Sequence, residues 1–138
     1  MPVLGIVFIV FGILGLGNGF WMLFSPENWF NNLPAAVPDT GDFNGHFVRD
    51  IGLIYALSGA GFIWSAFHLD RCFPIHVAQT GFFGGHALLH VADILMARLP
   101  ASHWLEDALG VFMPGIALGV LCIPAVWRKV NPRARAGK

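Results

Sequence analysis

Charge is what this sequence has least of. Charged residues fill 12% of 138 positions, eight Lys+Arg against eight Asp+Glu, for a formal charge of +0. A soluble domain carries about 25%, so a solvated surface of ordinary size is out of reach. A neutral chain also lacks the basic face that nucleic acid requires, which excludes that partner. Cysteine is nearly absent, with only Cys72 and Cys122. They are too far apart for a close-spaced metal motif and too few for a disulfide framework. Both read as plain apolar side chains. No Lys or Arg precedes Arg49. The apolar start therefore lacks the charged beginning of a secretory signal, and its run from Pro2 to Phe24 is too long for a signal core. It reads as a transmembrane helix. With no cysteine near either end, no lipid anchor is expected.

What the chain has instead is hydrocarbon: 56% of residues are hydrophobic and mean hydropathy is +0.65. A helix needs about 20 apolar residues to cross a bilayer core. Four stretches qualify, 3–24, 46–67, 75–97 and 104–127. In lipid only helices and closed barrels satisfy their backbone polar groups, and these runs are too long and continuous for barrel strands. The expectation is an all-α, four-transmembrane-helix bundle, up-down-up-down, forming one integral membrane domain with the lipid bilayer around it.

The loop 25–45 holds the turn chemistry. Ser25, Pro26 and Glu27 read as the N-cap, first-turn proline and first-turn acid of a short helix. Trp29 and Phe30 suit it to the headgroup level, and Pro34 should end it. Trp21, Trp64, Trp104 and Trp127 also fall near span ends and read as belt residues. Arg71, Arg128, Lys129, Arg133, Arg135 and Lys138 share one side of this topology, while the first loop carries only Glu27, Asp39 and Asp42. The positive-inside rule then puts both termini in the cytoplasm. Arg49 and Arg98, at outer helix ends, are the exceptions. Gly15/Gly19, Gly81/Gly85 and Gly115/Gly119 are GxxxG pairs that let helices approach closely within the bundle or in a homo-oligomer. Pro114 is expected to kink the fourth span.

Polar residues inside spans are costly and mark function. His86, His90 and Asp93, at i, i+4 and i+7, share one face of the third span with Gln79. His46 and Asp50 share a face of the second, with Arg49 beside them. Antiparallel neighbours bring these groups to similar depth in the outer half of the membrane, where His103, Glu106 and Asp107 open the fourth span. His68 and His76, flanking the cytoplasmic turn, read as solvated. Three readings of the cluster are open. In the structural one, Arg49 pairs with Asp50 or Asp93. In the second, His86, His90, Asp93, His46 and Asp50 supply ligands to copper, zinc or iron, or a b-type haem sits between His46 and His86 or His90. The third is a proton or quinone site. The HxxxH spacing lacks the glutamate of zinc proteases, and no complete catalytic motif names a reaction.

The run from Pro38 to Gly52, with Asp50 and its preceding His-Phe-Val-Arg, resembles a stretch of small uncharacterised bacterial membrane proteins. The run from His86 to Asp93 resembles its companion in the third span. The four-span layout is similar to the DoxX-like group, some members of which are associated with quinone-linked oxidation. The resemblance implies a bacterial inner membrane and a bias toward redox work, and transfers no catalytic residue. The leading expectation is a small inner-membrane protein whose His/Asp/Arg cluster binds a metal or redox cofactor or serves a redox partner. The rival is a non-catalytic accessory subunit packed against a larger membrane complex.

Overall fold

A computed structural model of the chain describes residues 2–131, and all regular structure among them is helical. Three of the tail cations used for orientation, Arg133, Arg135 and Lys138, lie outside the described residues. Helix α1 covers Val3–Phe24, α2 Pro26–Asn32, α3 Gly45–Phe67 and α4 Phe73–Leu95. A 3-10 turn, Val37–Thr40, sits in the loop before α3. The last third of the chain is α5 His103–Glu106, a π-helical turn Ala108–Phe112, α6 Met113–Leu121 and α7 Pro124–Val130. Two helices, α1 and α3, are long and apolar enough to cross a membrane, and a third crossing arises if the bent α6–α7 segment counts as one span.

The helices associate in two pairs, α1 on α3 and α4 on α6. Glycine makes the first pair close. A Cβ on Gly19 would stand 2.5 Å from the Ala56 nitrogen and 2.7 Å from the Gly52 oxygen, and one on Gly15 would stand 3.2 Å from the Gly59 Cα. Gly52, Ala56 and Gly59 of α3 are thus the complement to the α1 glycines, as expected where small residues drive association in lipid. Gly115 packs on Ala87 and Phe83, but a Cβ on Gly81, Gly85 or Gly119 would meet no atom of another element within 4 Å among the described residues. Gln79 ties the pairs together, its Nε2 donating to the Ser58 carbonyl at 2.8 Å.

Two apolar clusters lie toward opposite ends of α1. Leu4 and Phe8 join Phe62, Leu69, Cys72, Phe83, Leu118 and Trp127 at one end. Met22 joins Trp29, Phe30 and Val48 at the other. Trp29 and Phe30 are therefore packed within the protein, against Met22 and Val48. The Trp29 indole donates to Asn18 Oδ1 at 2.8 Å, which docks α2 onto α1 and satisfies the ring nitrogen.

Two expectations need correction. His76 is not solvated: it is buried, stacked on Trp127 at 5.0 Å and close to Phe8, with neither ring nitrogen hydrogen-bonded. His68 is the exposed one of the two, stacked on Trp64. The fourth apolar run is not one helix with a kink at Pro114. Its sharp bend, 88°, falls between Leu121 and Pro124. Proline there has no N–H to continue the ladder, and it holds Ile123 in an extended conformation that ends α6. Before Pro114 the backbone widens into the π-helical turn, so the Asp107 carbonyl accepts from both Val111 and Phe112.

Candidate metal centre

The 3-10 turn Val37–Thr40, α5 and the C-terminal half of α4 come together at one end of the bundle. Helix α4 stops with Ala97 in the left-handed region (φ 55), while the Arg98 and Leu99 amides bond back to the Asp93 carbonyl. This is a Schellman-type closure with alanine where glycine is usual. The chain then turns at Pro100 into α5. His103, Glu106 and Asp107 stand at i, i+3 and i+4, so one face of a single helical turn presents all three.

His103 is fully buried, and its surroundings are ionic. Its Nδ1 lies 3.0 Å from Asp107 Oδ2, and the same oxygen lies 2.7 Å from His90 Nδ1 on α4. A carboxylate only accepts, so both imidazoles carry a proton on Nδ1 and donate it to Asp107. Nε2 of His103 then faces Asp39 Oδ2 at 3.4 Å and Glu106 Oε2 at 3.6 Å. These distances exceed an N–H···O hydrogen bond. His103 Nε2 and Asp107 Oδ1 are both buried without a hydrogen-bond partner.

Asp39 comes from the 3-10 turn of the first loop, between Ala36 in the left-handed region (φ 44) and Gly41 (φ 136). Thr40 Oγ1 donates to the Val37 carbonyl and closes the turn. Two groups of side chains among the described residues are close enough to hold a metal: His90, His103 and Asp107, and Asp39, His103 and Glu106.

The candidates drawn from spacing are distributed otherwise. His90 enters the centre. His86 lies one turn deeper, with its ring 4.6 Å from that of His90. Asp93 pairs with Arg98, whose Nη1 donates to Oδ1 at 3.2 Å, rather than with Arg49. These residues line a small pocket with Thr40, Leu89 and Leu99. His46 and Asp50 contact each other at 3.4 Å on the exposed first turns of α3 and belong to neither metal-sized group. Arg49 lines a separate cleft with Glu27, Asn28 and Phe43. The b-type haem reading called for His46 across from His86 or His90, and that pairing is not what His46 makes.

Spacing pointed to α4 and missed Asp39, His103, Glu106 and Asp107 as one site. Part of the signal was present: a His-x-x-Glu-Asp turn at the outer edge of an apolar run places three ligand-type groups on one face. Asp39 carried no such mark, since only the fold brings the first loop to α5. Compared with models of known protein families, with curated proteins and with solved structures, the chain matches none.

Proposed function

We propose that this chain is a four-span protein of the bacterial inner membrane that binds a divalent metal ion at its outward-facing end. The observation that carries the reading is the convergence of Asp39, His90, Glu106 and Asp107 on a fully buried His103 that keeps an unpartnered ring nitrogen. Bringing several carboxylates together around a buried imidazole is costly unless a cation neutralises them. Four crossings are supported by the length of α4, 23 residues. Its hydropathy is lowered by Gln79 and His76, which are buried within the protein, and by Thr80, His86 and His90. Helices α5 and α6, joined through the π-helical turn, make the fourth. In this arrangement Arg71, Arg128 and Lys129 share the cytoplasmic end, and the centre faces outward.

The test is elemental analysis of protein purified in mild detergent from its native host, beside a His103→Ala variant. Near-stoichiometric zinc, manganese or iron that disappears in the variant is the expected result. Metal-free wild-type protein, from cells grown with those metals present, would sink the reading.

One observation favours the accessory-subunit reading. Gly81 and Gly85 of α4 form an open small-residue face. If that face docks on another membrane protein, Gly81→Leu/Gly85→Leu abolishes co-purification of the partner while leaving metal content unchanged.

A further inference from the structure

The metal reading leaves two positions for the ion, one on each side of the His103 ring, and the distances separate them. A metal held by nitrogen and oxygen at about 2.0–2.1 Å in a tetrahedral site spaces its ligand atoms about 3.4 Å apart. On the Nε2 side the edges are 3.4 Å to Asp39 and 3.6 Å to Glu106. On the Nδ1 side the separations to Asp107 Oδ2 are 3.0 Å from His103 and 2.7 Å from His90. The inner spacings are those of charge-assisted hydrogen bonds, and an ion there would have to push both imidazoles away and displace both protons.

We propose that the ion occupies the outer side, bound by His103 Nε2, one Asp39 oxygen and one Glu106 oxygen, with Asp107 acting as the group that aims the imidazole and not as a ligand. This rests on the metal reading above and adds the ligand set. Metal-ligating histidines commonly donate their other N–H to a carboxylate, which fixes the tautomer and raises ligand basicity. Asp107 does so here, and its second donor, His90, holds the carboxylate in place from α4. Nε2 is the buried, unpartnered atom, and it is aimed at the two carboxylates.

The ligand set defines the class of ion. One imidazole and two carboxylates, with no thiolate or thioether, suit zinc, manganese or ferrous iron rather than cuprous copper. Three protein ligands leave a fourth tetrahedral position for water or for an oxygen or nitrogen of an incoming molecule. Asp39 and Glu106 are 44% and 37% exposed at the side chain, so that position opens outward while the histidine side is closed.

The experiment uses the full chain in mild detergent, stripped with chelator and titrated with zinc by calorimetry, then with cobalt(II) followed by visible absorption. Asp39→Asn and Glu106→Gln should each weaken zinc binding at least tenfold. Asp107→Asn should weaken it roughly 10–100-fold while leaving cobalt absorption of the same tetrahedral type. His90→Gln should weaken zinc binding less than Asp39→Asn or Glu106→Gln and leave the cobalt absorption of the same type, since His90 steadies Asp107 and gives the ion no atom. Zinc binding that survives Asp39→Asn and Glu106→Gln but is lost in His90→Gln would overturn the outer site and leave the metal reading intact. A wild-type chain that takes up neither ion would overturn both. Helical circular dichroism of each variant, unchanged from wild type, assigns the losses to the site. Asp39 and Glu106 lie at the surface, so their replacement removes no core packing.

Discussion

At the scale of single residues, the two most telling side chains are ones whose chemistry their surroundings deny. His76 is buried among Phe8, Phe73 and Trp127 with both ring nitrogens unsatisfied. A buried polar group without a partner costs about 1–3 kcal/mol. Replacing it by an aromatic ring of similar shape should keep the stacking and remove that cost. His76→Phe is expected to unfold at equal or higher temperature than wild type in detergent, by about 1 kcal/mol in stability. A marked drop in melting temperature would mean that the imidazole is bonded after all. Cys72, fully buried at the turn before α4, has its thiol pushed up to about 11, by burial first and by the charge of Asp70 as well. The thiolate is the reactive form. The ionised fraction falls about tenfold for each pH unit below that value, so at pH 8 roughly one thiol in a thousand is ionised. Maleimide should label Cys72 far more slowly in folded protein than in detergent-denatured protein at pH 8, read by peptide mass spectrometry. Equal rates would contradict its burial. Cys72 reads as apolar in the sequence and is buried, whereas His76 reads as wet beside its turn and is buried too. Distance from a turn says which residues reach the interface, but not which way the ring faces once α7 folds over it.

At the scale of elements, the glycine pairs were legible as packing devices but not by partner. Gly15/Gly19 were visible as a pair. Their complement, Gly52, Ala56 and Gly59, is spaced by four and then three residues and so escapes a GxxxG search. A Cβ on Gly59 would come 2.6 Å from the Leu16 nitrogen and 2.8 Å from the Gly12 oxygen, both backbone atoms that cannot rotate away. Gly59→Leu should therefore cost at least 1–3 kcal/mol, roughly the overpacking penalty in a close-packed interior. Gly81→Leu, with nothing within 4 Å, should leave melting unchanged. Thermal unfolding of the two variants side by side decides it, and equal destabilisation would contradict the α1–α3 contact. The ends of α1, α3 and α4 followed from hydropathy to within two residues. The end of α6 did not, because an apolar run continues through Pro124 while the backbone does not.

At the scale of the whole molecule, sidedness is the property that matters most. The hydropathy of α1 and α3 was plain in the sequence and is the firmest part of the architecture. Helix α4 is less apolar because its polar residues serve contacts inside the protein, so its crossing is proposed from length and charge rather than from hydropathy. In a chain with Cys72 and Cys122 replaced, Asp42→Cys should react with a membrane-impermeant maleimide in intact spheroplasts. Arg71→Cys should react only after permeabilisation. If both label from the same side, α3 does not cross and the four-span arrangement fails. The candidate centre was legible in kind, as histidines and carboxylates at outer helix ends, but not in membership. Spacing relates residues on one helix, whereas this centre joins a loop, the end of α4 and the start of α5.

That joining has a bearing on how the protein is made. Asp39 is translated before His103 and Glu106, which emerge only with α5. No nascent chain that stops short of Glu106 holds all three proposed ligands. Metal capture would then come last in biogenesis, after the helices are in place, and would seal an early loop to a late one.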